Sequence, residues 1–170
     1  MKVVGKQSNS RMCIICGMDN PIGLHAQFYN MEDGSVMTPF SYTENHQSFP
    51  QRVHGGLAAS MLDELGLRAL WAKGDESVFG VTMSLEVKYR RPVPYGEELI
   101  GRGILEKETS KFATVKAGIY DKAGNLLAEA TVKYIKMDVG QIAENADPHE
   151  EMCYLLRDEV KEIAWCGKAD

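Results

Sequence analysis

The sequence predicts an α+β fold, on three observations. Apolar residues recur at helical spacing from Val53 to Trp71. Beyond Val81, successive stretches alternate with period two or carry strand propensity. Helix and strands are segregated along the chain, without the strand–helix–strand alternation of a parallel sheet. At 170 residues the chain is long enough for one domain with a genuine core, and no internal repeat or low-complexity tract divides it. Residues 1–170 read as a single domain, with an N-terminal extension over 1–23 and a C-terminal helical extension over 145–168.

Met1 to Arg11 is polar apart from Val3-Val4 and lacks the apolar core of a signal peptide. Nowhere is an apolar run long enough to span a bilayer, so a cytoplasmic protein with no membrane partner is expected. The cysteines fit that compartment, since Cys13 and Cys16 form a C-x-x-C pair while Cys153 and Cys166 lie far away. Cys13-x-x-Cys16-Gly17 has the form of half a zinc knuckle with His25 as a third ligand. No fourth ligand is evident and the usual second pair is missing, so no metal is assigned. Asn20-Pro21-x-Gly23 gives a turn, and Leu24 to Tyr29 has strand propensity. Asp33-Gly34 is a tight-turn dipeptide leading into Ser35 to Thr43, which completes a hairpin. Glu44 to Arg52 is a polar loop broken by Pro50.

On the helix, Leu57, Met61, Leu65 and Ala69 recur every fourth residue, and Ala58 and Leu62 widen the stripe into a core face. Glu64 shares a polar stripe with Ser60 and Arg68 and reads as a solvated i,i+4 partner of the arginine. Asp63 instead points between Ala59, Leu67 and Leu70, where an ionised carboxylate loses hydration with no cation in helical reach. It faces a wet cleft, bonds a loop N–H, or does chemistry. His54-Gly55-Gly56 opens the helix. The first N–H groups there lack internal partners, and glycine lets a substrate oxygen approach them, which makes a candidate oxyanion site. His54 is assigned an orienting or oxyanion-supporting role, and His46 is a weaker candidate. Gly56 and Asp63 lie about 10 Å apart along a helix axis, too far to flank one carbonyl. A second subunit supplying the other half, in a twofold dimer, resolves this.

Lys73 to Glu76 is a solvated turn. Val81 to Arg91 alternates, with Val81, Met83, Leu85, Val87 and Tyr89 on one face and Thr82, Ser84, Glu86, Lys88 and Arg90 on the other. Lys88, Arg90 and Arg91 form a basic cluster ended by Pro92-Val93-Pro94. They suit the phosphates of a nucleotide or serve as edge protection. Gly96 to Glu108, Lys111 to Tyr120 and Leu126 to Met137 read as further strands of a meander. Asp147-Pro148-His149-Glu150 has the form of a helix start, and the apolar residues from Met152 to Ile163 predict an amphipathic helix to about Trp165.

H-x-S-F-P-x-x-V-H-G-G-L-x-A-x-x-L-D-E, from His46 to Glu64, resembles the signature of the hotdog-fold thioesterases, in particular the PaaI-like group of the phenylacetic acid pathway. Cys13 to Leu24 and Tyr89 to Pro94 are similar to segments of the same group, so the resemblance covers most of the chain from Cys13 to about Ile135. It implies a curved antiparallel sheet wrapped around one long central helix, a dimer or tetramer, and hydrolysis of acyl-CoA thioesters without a metal. It also implies that His54 belongs to the site and that Thr82 lies near the catalytic carboxylate. Ser48 stands where some relatives carry an asparagine.

The expected activity is therefore that of an acyl-CoA thioesterase, with coenzyme A as part of the substrate and no separate cofactor. Gly55 and Gly56 N–H would polarise the carbonyl, and Asp63 of the partner chain would act as general base or nucleophile, with Glu64 as its substitute. A hotdog-fold hydratase and a non-catalytic acyl-CoA-binding protein are the alternatives. A net charge of −5 gives no support to nucleic-acid binding, and no glycine loop for ATP or NAD occurs.

Overall fold

In a computed structural model, which describes residues 1–143, 147, 152 and 154–167, the chain forms β1 (Val3–Lys6), β2 (Tyr29–Met31), β3 (Val36–Phe40), a 3-10 turn (Glu44–His46), β4 (Gln47–Phe49) and β5 (Arg52–Val53). The long helix α1 (Gly55–Leu70) follows, then β6 (Phe79–Tyr89), β7 (Leu99–Glu108), β8 (Phe112–Asp121), β9 (Leu126–Met137) and a short α2 (Val139–Ile142). Seven strands make one antiparallel sheet in the order β1-β2-β3-β7-β8-β9-β6, and β4 and β5 pair separately.

The predicted stripe is the buried face of α1: Ala58, Met61, Leu62, Leu65 and Ala69 are at most 2% exposed. It packs across β7, β8 and β9, whose inward residues Leu99, Val115, Ile119, Ala128 and Val132 are fully buried. Helix and sheet approach closely because β7 lacks side chains where they would collide. A Cβ at Gly103 would sit 2.4 Å from the main-chain oxygen of Leu65. This is the architecture of a sheet wrapped on a central helix.

The alternation read for Val81–Tyr89 breaks at one place. β6 and β9 are in register from Phe79 to Thr82 and again from Ser84, with a bulge between. The extra residue reverses the phase of the strand. Val81 and Met83 are therefore 39% and 58% exposed, whereas Thr82, Leu85 and Val87 are half-buried against the core side.

The N-terminal segment, read as a polar extension, contains β1. Its backbone is paired on both sides, with β2 and with the C-terminal segment through Val3 N–H to Lys161 O (2.8 Å) and Ile163 N–H to Met1 O (2.9 Å). The polar residues after it are buried with their donors satisfied: Asn9 Nδ2 donates to Cys16 O and Ala26 O, and Gln7 Nε2 to Asn30 Oδ1 and Arg68 O. Strand propensity at Leu24–Tyr29 yields a strand only from Tyr29.

A helix does follow the sheet, at Val139–Ile142, earlier and shorter than the helix expected over 145–168. Of that range, residues 154–165 form neither helix nor strand, only the isolated bridges Asn9↔Tyr154 and Lys2↔Glu162, with Ile163 buried beside Tyr29, Met31 and Ile100. The expected start at Asp147-Pro148-His149-Glu150 lies largely outside the described residues. The β1 edge pairs with this segment and gives Ile163 a buried site, long-range gains that helical periodicity does not register. No described helix is long and apolar enough to cross a membrane.

Candidate active site

His54 is the N-cap of α1. Its Nδ1 accepts the Gly56 N–H at 3.0 Å, which fixes the helix mouth and uses one of the two glycine donors. The Gly55 N–H has no partner among the described residues, as the first amide of a helix lacks an internal one. Tyr89 donates to Gly55 O at 2.7 Å and ties the end of β6 to this turn. A cleft of about 340 Å³ opens here, lined by Val53, Gly55, Ala58, Tyr89, Arg90, Arg91, Pro92 and Val93. Two of the three predicted basic residues thus border the helix mouth. Arg90 pairs with Glu129 at 2.5 Å, and Lys88 lies 3.6 Å from Glu86, outside this cleft.

Asp63 is half-buried on the flank of α1, where its isolation on the helix is relieved by the sheet. Thr82 Oγ1 donates to its Oδ1 at 2.7 Å, an encounter made possible by the β6 bulge. Tyr134, from β9, donates to the main-chain oxygen of Asp63 at 2.5 Å and stands 3.2 Å from Oδ1. Burial, then the Asp63 charge, pushes the Tyr134 phenol far above its ordinary range, so it remains a donor. The remaining oxygen, Oδ2, has no hydrogen-bond donor among the described residues. Tyr134 was not legible as a site residue. The available signal was a tyrosine in line with the inward row Ala128, Ala130 and Val132, whose hydroxyl must find a partner.

Glu64 corrects the sequence reading. Far from being solvated, it is 15% exposed and ion-paired at 2.8 Å with Arg68, itself 1% exposed. The guanidinium also donates to Ser8 O and lies 4.7 Å and 4.8 Å from the ring centroids of Phe28 and Trp71. Burial opposes the charge on Arg68, but Glu64 outweighs it and raises the guanidinium pKa. Glu64 is thus committed to an internal pair.

His46 is buried with both ring nitrogens engaged: Thr43 N–H donates to Nδ1 at 2.9 Å, leaving Nε2 to donate to Ile22 O at 3.0 Å. Ser48 hydroxyl donates to Val53 O at 3.4 Å. Both brace the loop that delivers the chain to α1. The two halves expected of the site, Gly55 and Asp63, lie eight residues apart on one helix, about 12 Å along its axis. Asp63 does not line the cleft at the helix mouth.

A central helix wrapped by an antiparallel sheet, a glycine-opened helix mouth and a carboxylate braced on the helix flank describe the hotdog class. Residues 51–128 match the family model described as the thioesterase superfamily. Acyl-coenzyme A thioesterase 13 of Homo sapiens is 26% identical over 97 residues, covering 56% of this chain and 69% of that protein. The crystal structure of a thioesterase superfamily protein aligns with a TM-score of 0.66 at 27% identity, over 73% of this chain and 63% of that one. A protein from Bacillus halodurans solved with CoA shares the fold, with a TM-score of 0.57 at 20% identity over 65% of this chain and 72% of that one.

Proposed function

We propose that this protein is an acyl-CoA thioesterase, hydrolysing an acyl-CoA to the free acid and CoA. The observation that carries the reading is Asp63: a half-buried carboxylate held by Thr82 and Tyr134, on a helix whose first amide has no partner among the described residues. In the proposed reaction the Gly55 N–H polarises the thioester carbonyl, while His54 holds Gly56 and so the shape of the turn. Asp63 of a partner subunit either takes a proton from water as it adds to the carbonyl carbon, or attacks that carbon itself. In the first case the C–S bond then breaks, and CoA leaves as a thiolate that takes up the proton. In the second, CoA leaves as a thiolate from a mixed anhydride of the acyl group with Asp63; water hydrolyses the anhydride to the free acid and the restored carboxylate, its proton passing to the thiolate. Neither route requires a strong acid. Arg90 and Arg91 at the cleft rim are assigned to the CoA phosphates, with Lys88 further along the strand. The fold neighbour solved with CoA supports this ligand class.

The hydratase alternative needs a free histidine base, and His46 has both nitrogens engaged. The test is release of free thiol from short, medium, long and aromatic acyl-CoAs. Hydrolysis of at least one class is expected, and Asp63→Asn should reduce kcat by about 100-fold or more with the fold intact. Absence of release from every member, or full activity in Asp63→Asn, overturns the reading. Tight binding of CoA esters without turnover would mark a binding protein instead.

A further inference from the structure

The N-terminal C-x-x-C pair and the misread Glu64 meet. The two sulfurs and a Glu64 carboxylate oxygen all lie within 4.8 Å of one another. Nothing in the proposed hydrolysis uses them. The cluster has the features of a ligand set rather than of three side chains that happen to touch. Glu64 Oε1 is held by Arg68 Nε, which leaves Oε2 facing Cys13 Sγ at 3.8 Å. Cys13 Sγ accepts the backbone N–H groups of Ile15 (3.3 Å) and Cys16 (3.5 Å), and Cys16 Sγ lies 3.2 Å from Ser10 Oγ. The turn closes with Gly17 N–H donating to Cys13 O at 2.9 Å, and a Cβ at Gly17 would stand 2.4 Å from that same oxygen. The glycine is thus a steric requirement for bringing both sulfurs to one side. His25, the third ligand expected from sequence, is exposed with Nε2 on Asn20 O at 2.7 Å and is not part of the cluster.

We propose that Cys13, Cys16 and Glu64 bind one zinc ion, with water in the fourth position. Two thiolates and a carboxylate carry three negative charges, which a divalent ion and the buried Arg68 guanidinium balance. Thiolate ligands select zinc over magnesium or calcium, and Arg68 plays the part of the outer group that orients a ligating carboxylate. Cys13 and Cys16 belong to the segment before β2, and Glu64 to α1 beside Asp63, so the ion clamps the N-terminal extension to the helix turn that carries the proposed catalytic carboxylate.

The experiment uses the full chain, purified without chelator and analysed for metal, then stripped and titrated with cobalt(II) alone. The expected result is about one zinc per chain, with thiolate-to-cobalt charge-transfer absorption on titration. Of the four cysteines in the sequence, Cys13 and Cys16 should resist alkylation until a chelator is added. Cys13→Ser and Cys16→Ser should each abolish the absorption, Glu64→Gln should weaken cobalt binding at least about tenfold, and His25→Ala should leave it unchanged. Should Glu64→Gln fail to fold for loss of the Arg68 pair, the half-exposed Cys13 position still decides the matter. Failure of the stripped, reduced protein to take up zinc or cobalt overturns the proposal, as does a Cys13–Cys16 disulfide with no uptake after reduction. Metal binding that survives the double serine variant does the same.

Discussion

A carboxylate on the apolar flank of a core helix needs donors from outside the helix. Asp63 receives them from two strands, Thr82 on β6 and Tyr134 on β9. The two contribute differently. Tyr134 is 1% exposed and anchors the main chain of the helix as well as approaching the side chain. Tyr134→Phe should therefore destabilise the fold by about 1–2 kcal/mol in urea unfolding, leaving Asp63 O without its donor. Because the variant also loosens the carboxylate, kcat should fall while KM for the acyl-CoA stays near wild type. An unchanged kcat would show that the phenol serves packing alone.

At the scale of elements, two departures from regular strand geometry place the site. The β6 bulge turns Thr82 toward α1, and the missing side chain of Gly103 lets α1 settle against β7. A Cβ at Gly103 would meet the main chain of Leu65, which cannot rotate away, so Gly103→Ala should cost about 3 kcal/mol. Gly140→Ala is the matched control in α2, where a Cβ meets nothing within 4 Å. Denaturant midpoints of the two variants check the contrast. Equal midpoints would mean that helix and sheet can separate without penalty.

For the whole molecule, the exposed partner of the sheet is β6. Among the described residues it is the end strand, paired with β9 alone, and it presents Val81 and Met83 to solvent. Long open edges of this kind invite pairing with another chain. The 12 Å between Gly55 and Asp63 makes such pairing a requirement of the proposed chemistry as well as a means of covering surface. Sedimentation at micromolar concentration should give a dimer or tetramer. Met83→Glu should shift the distribution toward monomer and abolish thioester hydrolysis while leaving the helical circular dichroism in place. An active wild-type monomer would refute the two-subunit site.

The sequence by itself determined the central helix, its buried face, the presence of the last three strands with the bounds of β9, and the His54–Gly56 opening, because each depends on local periodicity or on the conformational needs of a few adjacent residues. It also singled out Asp63, since the mismatch between a charge and its helical neighbours is a local property. The tertiary structure alone decided what met those residues. Glu64 and Arg68 looked like a solvated pair on the helix, and only the N-terminal segment laid over them makes the pair internal. Thr82 changed face through a bulge of one residue, which alternation cannot foresee. Polar segments at both ends became paired because their hydrogen-bond partners lie at the far end of the chain. Contacts across such distances leave no period in the sequence, and they settle which of the locally plausible side chains share a site.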